Sequence, residues 1–84
     1  MADTLVELYR IACYEYDGES YGDLVGYKDA DGDYTDDVYQ IQYYHTEDTA
    51  LEDVDNSDAT ETGYIEEVDV VYFDFKDTLK LDIK

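Results

Sequence analysis

Five aspartates crowd one short stretch of this chain. Asp29, Asp31 and Asp33 alternate with Ala30 and Gly32, and Asp36 and Asp37 follow closely. Carboxylates at alternate positions open an EF-hand calcium loop, which also needs glycine at its sixth position and a bidentate glutamate at its twelfth. Counted from Asp29, Gly32 is fourth and position twelve is Gln40, so the pattern fails. Two readings remain for this stretch. One is loose binding of Ca²⁺ or Mg²⁺ by clustered carboxylates. The other is a plain solvated turn, which aspartate suits because its side chain bonds the backbone just ahead of it. Zinc is disfavoured, because Cys13 and His45 are the single cysteine and the single histidine.

Catalysis has little to work with. A Cys13/His45 pair would need an orienting group and an oxyanion site. His45 reads as a partly exposed residue at the end of a strand, and Cys13 as inert packing. No Gly-x-Ser-x-Gly elbow, phosphate loop or dinucleotide fingerprint occurs. Two carboxylates could serve as acid and base. Among 24 acids, however, the proximity of two carries little information. The expectation is a chain that is not an enzyme and takes no cofactor.

The charge itself is the unusual quantity. The chain holds 24 Asp and Glu against 5 Lys and Arg, a net −19, whereas a small domain is comfortable at a magnitude of about 2–8. The acid is concentrated. The 47 residues between Lys28 and Lys76 carry 16 acids and no Lys or Arg. The flanks hold 8 acids and all 5 bases. A surface of this sign is repelled by anionic membranes and by the nucleic-acid backbone. No run of about 18 apolar residues exists to span a bilayer. Met1-Ala2-Asp3 lacks the basic start of a secretory signal. One cysteine permits no intrachain disulfide. A cytoplasmic setting is expected, or the host cytoplasm if the source is viral.

Enough apolar matter is present to fold one domain over residues 1–84. Apolar residues make up 44% of the chain, with 11 Tyr and 2 Phe, which is too aromatic for a disordered acidic tail. Strand signals dominate. Leu5 to Tyr16 is rich in β-branched and aromatic residues and runs into Asp17-Gly18, a hairpin signal. A return strand is predicted from about Glu19 to Lys28, with Gly22 and Gly26 allowing a bulge. Asp37 to His45 alternates with period two. Thr46 to Thr62 reads as a long acidic loop with one helical turn at Thr49–Val54, capped by Thr49 or Asp48. Tyr64 to Phe75 is a strand with Val70 to Phe73 buried on both sides, and Leu79, Leu81 and Ile83 alternate in a last one. The sum is an all-β fold of about five antiparallel strands in a curled sheet or small open barrel. One alternative stands: Leu5, Leu8, Tyr9 and Ala12 also form a helical stripe under an Asp3 cap, which would make the fold α+β.

Placement of the acids suggests a use. Alternate residues of an extended strand repeat every ~6.6 Å. Two steps along a nucleic-acid strand span ~6.8 Å. If extended, Asp29, Asp31 and Asp33 would space carboxylates like phosphates. Asp36, Asp37, Glu47, Asp48, Glu52, Asp53, Asp55, Asp58, Glu61, Glu66 and Glu67 would continue the track. Tyr34 and Tyr44 are candidate apolar anchors beside it, with Tyr43 and Tyr64 as further ones, because interfaces favour aromatic residues over charge alone.

In size, net charge, single free cysteine and the acid-only middle from Asp29 to Asp74, the chain resembles the phage-type DNA-mimic inhibitors. These are small acidic proteins that block restriction enzymes, CRISPR effectors, other anti-phage nucleases or uracil-DNA glycosylase. The resemblance is one of composition. It implies a partner with a basic nucleic-acid-binding cleft, no direct contact with nucleic acid, and a monomer or small homo-oligomer. Two other readings are open: a halophile protein, whose excess of Asp over Glu and scarcity of Lys serve solvation, and a divalent-ion-binding structural module.

Overall fold

The structure, a computed structural model, describes residues 4–84. Strand β1 (Leu5–Tyr16) is its axis. It pairs antiparallel with β2 (Tyr21–Lys28) on one side and with β5 (Tyr64–Asp74) on the other. A short β3 (Tyr34–Thr35) adds to the outer side of β2, giving the order β3-β2-β1-β5. Between β3 and β5 the chain forms β4 (Gln42–Tyr43), helix α1 (Glu47–Glu52) and helix α2 (Ala59–Thr62). After β5 come α3 (Phe75–Thr78) and β6 (Asp82–Ile83), which lies parallel to β4 in a second, two-stranded sheet. Among the described residues no helix exceeds six residues, and the main sheet stays open instead of closing into a barrel. The all-β architecture is therefore as the sequence predicts, with six strands. The N-terminal helix does not form, and its Asp3 cap lies outside the described residues.

β1 hides its period because it is buried on both faces at its centre. Leu8, Ile11, Ala12 and Cys13 are all essentially inaccessible. On one face, Leu8 packs with Ile41 and Tyr43 under Val6, Val71, Phe73, Leu81 and Ile83. On the other, Ile11 packs with Tyr44 and Ala50 against Tyr9, Val54 and Val68. Each fully buried Leu or Ile is worth about 1.5–3 kcal/mol. The segment Ile41–Tyr44 crosses from one face to the other along the edge of β1. There Tyr9 and Tyr44 exchange both backbone hydrogen bonds, at 2.9 and 2.8 Å.

Several local expectations are corrected. The first turn is longer than an Asp-Gly pair. Asp17 Oδ1 accepts the N–H groups of Glu19 and Ser20, only Gly18 has positive φ, and β2 starts at Tyr21. The bulges are present, as two register shifts between β1 and β2. Gly26 is required for close approach, since a Cβ there would lie 3.2 Å from the backbone N and O of Thr35. The predicted strand from Asp37 shrinks to β4 with single bridges at Ile41 and Tyr44. Asp37 turns the chain instead: its Oδ1 accepts from Tyr39 N–H and its carbonyl from Gln40 N–H. The helical turn lies two residues early, because Thr46 is the N-cap and its Oγ1 accepts Thr49 N–H. Glu47 and Asp48 then sit in the first turn, where the helix dipole favours them. β5 is covered on one side only near its end, so Val70 and Tyr72 are exposed. Leu79 is 77% exposed, and the last strand is reduced to Asp82–Ile83.

Candidate functional site

Alternation on β1 puts Ile11 and Cys13 on one face, and their cross-strand partners Val68, Glu66 and Gly26 with them. Lys28 and Tyr34, which pair with each other at the end of β2, share that face. Here the turn at 29–33 and the loop at 53–62 converge. One cleft of about 320 Å³ is lined by Lys28, Asp29, Asp31, Asp53 and Lys84 among others. A neighbouring cleft of about 310 Å³ is lined by Tyr34, Asp55, Asp58, Tyr64 and Glu66, with Lys28 common to both.

Glu66 holds this surface together from beneath. Its carboxylate is 5% exposed and accepts from Lys28 Nζ at 3.1 Å, from Asp55 N–H at 3.0 Å and from the Tyr34 hydroxyl. Lys28 Nζ also donates to the Asp53 carbonyl at 2.9 Å. Asn56 completes the join. Its amide donates to the Glu66 carbonyl and its Oδ1 accepts Glu66 N–H, at 2.9 and 2.7 Å, as a neighbouring strand would. A buried carboxylate is tolerable only with this degree of satisfaction. Burial, and then the Glu66 carboxylate, push the Tyr34 phenol far above its ordinary range. Burial likewise raises the Cys13 thiol, which disfavours the thiolate a nucleophile needs.

The proposed track is thereby sorted. Glu66 and Tyr44 are corrected: both are buried, Glu66 as the counter-ion of Lys28 and Tyr44 as core whose hydroxyl donates to Asp53 Oδ2. Tyr43 is also core. Tyr34 stays partly exposed, but its hydroxyl is committed to Glu66. Asp29 is half-buried. Its Oδ1 accepts from Asp31 N–H and Asp33 N–H, so residues 29–33 form a tight turn and the extended, phosphate-spaced row does not exist. Asp53 is half-buried between Lys84, at 2.8 Å, and Tyr44, and these partners hold its carboxyl below the usual range. Ten further acids are exposed on turns, short helices and loops: Asp31, Asp33, Asp36, Asp37, Glu47, Asp48, Glu52, Asp55, Asp58 and Glu61. Glu67 is exposed on β5. Only the 29–33 turn and the 53–58 loop share the clefts; Asp36 and Asp37 sit on the turn leading to β4. Among the described residues, no three of His, Cys, Asp and Glu are placed to hold a metal ion. Among the described residues, no helix is long and apolar enough to cross a membrane.

The bases are mostly consumed. Arg10 pairs with Asp69 at 3.0 Å, Lys28 with Glu66 and Lys84 with Asp53. Among the described residues, Lys76 and Lys80 make no ion pair, and both follow β5 at one end of the molecule. The chain is elongated, with extents of 48 × 23 × 23 Å. Residues 4–84 carry 23 acids and 5 bases, so a net −18 is spread along 48 Å, about one charge per 2.7 Å. Duplex DNA carries one per ~1.7 Å.

An aromatic patch on the opposite face escaped the sequence reading. Tyr21 stacks edge-on to Tyr16, with centroids 5.5 Å apart, and lies 6.0 Å from Tyr14; its hydroxyl donates to Glu67 at 2.8 Å. Nearby Leu24 is also exposed. The signal was the loop length: a four-residue turn after Tyr16 sets it opposite Tyr21, whereas a two-residue turn would not.

Set beside known proteins, this chain finds no matching family model, no matching curated protein and no matching solved structure.

Proposed function

We propose that this protein is a DNA-mimic inhibitor, which occupies the basic nucleic-acid-binding cleft of a host defence or DNA-processing protein and blocks access of DNA. One observation carries the reading. It is a rod 48 Å long and 23 Å thick, with net charge along its axis at well over half the linear density of a duplex. Three of five bases are neutralised within the fold, which supports the same reading, since a channel lined by Lys and Arg would meet few like charges. Such a field steers association and favours a partner of opposite sign. Exposed Tyr21, stacked on half-buried Tyr16 next to Glu67, supplies the apolar anchor that charge alone lacks.

The test begins with affinity capture from host lysate at low salt. A captured basic DNA-binding protein is then titrated with duplex DNA and with this chain. Mutual displacement is expected, with affinity for the chain falling steeply between about 50 and 200 mM salt. Joint substitution of Asp31, Asp33, Asp55 and Asp58 by Asn should flatten that salt dependence. Binding that ignores salt, or a ternary complex with DNA still in place, would overturn the reading.

A further inference from the structure

The two edges of the main sheet differ. On one side β3 covers Tyr27 and Lys28, and the rest of β2 is bulged twice, which twists that edge away from further pairing. β5 runs in unbroken register with β1 over eleven pairs, from Glu15↔Tyr64 to Leu5↔Asp74. Because β-strand backbone groups alternate in direction, the residues of β5 whose N–H and C=O face outward are Glu66, Val68, Val70, Tyr72 and Asp74. Asn56 caps Glu66. Among the described residues, the outward groups of Val68, Val70 and Tyr72 meet no partner, so an unblocked strand edge of about 13 Å lies open.

What flanks this edge specifies its occupant. On the Ile11 face, the outward residues Val68, Val70 and Tyr72 are apolar, and Leu51 of α1 adds an exposed shelf beside Val68. On the other face, Glu67 and Asp69 alternate with them, Asp69 already paired with Arg10 at 3.0 Å, while Glu47 lines the hollow beside Leu51 with no base in its lining. Cross-strand neighbours on one face interact directly. A matching strand therefore carries apolar residues on one face and Lys or Arg on the other. A second copy of this chain brings the wrong sign, since each copy carries the same large net negative charge. We propose that the β5 edge takes up an extended segment of the partner protein, alternately basic and apolar, as a fifth strand of the sheet. This deepens the reading above by naming the partner's recognised element; it rests on the partner being basic, but not on its binding DNA.

The probe is the peptide acetyl-(Lys-Val)₄-amide, titrated into the isotopically labelled full chain at low salt. Slowed amide exchange is expected at Val68, Val70 and Tyr72, while the inward amides of Glu67, Asp69 and Val71 stay as they were. A peptide N-methylated at alternate residues, so that one edge cannot pair, should bind about tenfold more weakly. Val70→Pro should do the same with the fold intact, since proline is tolerated where an edge N–H faces solvent. Unchanged exchange at the three outward amides, or peptide contacts confined to residues 29–33 and 53–61, would overturn the proposal. So would protection of the edge that rises with protein concentration without peptide, which would mean a second copy. If the peptide leaves the edge untouched while the wild-type chain still displaces DNA, this inference falls and the DNA-mimic reading stands. If the peptide takes the edge and no DNA is displaced, the reverse holds.

Discussion

The two ends of the main sheet are held by opposite physics. Around Leu8, Ile41 and Tyr43 the cover is apolar, with Phe73 edge-on to Tyr43 at 5.3 Å. Around Cys13 and Glu66 the cover is the Lys28–Glu66 ion pair with its hydrogen bonds to Tyr34 and Asp55, and Asn56 clamped to the Glu66 backbone. The difference matters because the acid-rich turn and loop attach at the second end. The acid-rich loop offers a single valine, Val54, for apolar docking. It is fixed by Asp55 N–H on the Glu66 carboxylate and by Asn56 on the Glu66 backbone, leaving Asp55 and Asp58 outward.

That contrast can be broken from either side. The largest effect is expected from Glu66→Ala, which takes the counter-ion from Lys28 and the acceptor from the Tyr34 hydroxyl; losing one partner of a buried pair costs about 3–5 kcal/mol. That is a large share of the ~4–12 kcal/mol an 84-residue domain has in hand. Denaturant unfolding measures it, and adding Lys28→Met to the alanine variant should recover part of the loss. Leu8→Ala should cost about 2–5 kcal/mol through its cavity, at the other end and independently of Glu66. If the two single effects fail to add in a double variant, the ends are not separate.

Tyr34→Phe removes a hydroxyl bonded to a charged group and should cost about 1.5–3 kcal/mol. Its pH dependence sharpens the comparison. The folded-state phenol is raised above its ordinary 10.0, so its contribution is present below pH 10 and is lost as pH rises beyond. The gap between wild type and Tyr34→Phe should therefore close in alkali, whereas the Leu8→Ala gap should not. Thr46→Ala should cost about 1 kcal/mol by removing the α1 cap, read from thermal unfolding. The smallest effect is Asp53→Asn, no more than about 1 kcal/mol, because its partner Lys84 is over half exposed. The Asp53 carboxyl is held below 3.8, so that contribution exists above about pH 4 and disappears as pH falls further. A gap that persists at pH 2 would show that the ion pair is not its source.

Strands β1, β2 and β5 were legible because each is long and rich in β-branched or aromatic residues. β4 and β6 were not, since two residues carry no period and their pairing comes from segments 40 residues apart, Gln42 with Asp82. For the site, the exposed aspartates of the turn and loop were legible as acids but not as a surface. Glu66 looked like Glu67 in sequence. Position within the pleat separates them, sending one inward to Lys28 and the other outward to Tyr21.

By itself, the sequence determined sign, strand content and the segregation of acid into one base-free span, because these follow from composition and local periodicity. Tertiary structure alone decided which acids face out, that Arg10, Lys28 and Lys84 are neutralised from within, and that one sheet edge is left open. Those outcomes depend on register and on contacts between distant segments, where a shift of a single residue would exchange the faces of the sheet.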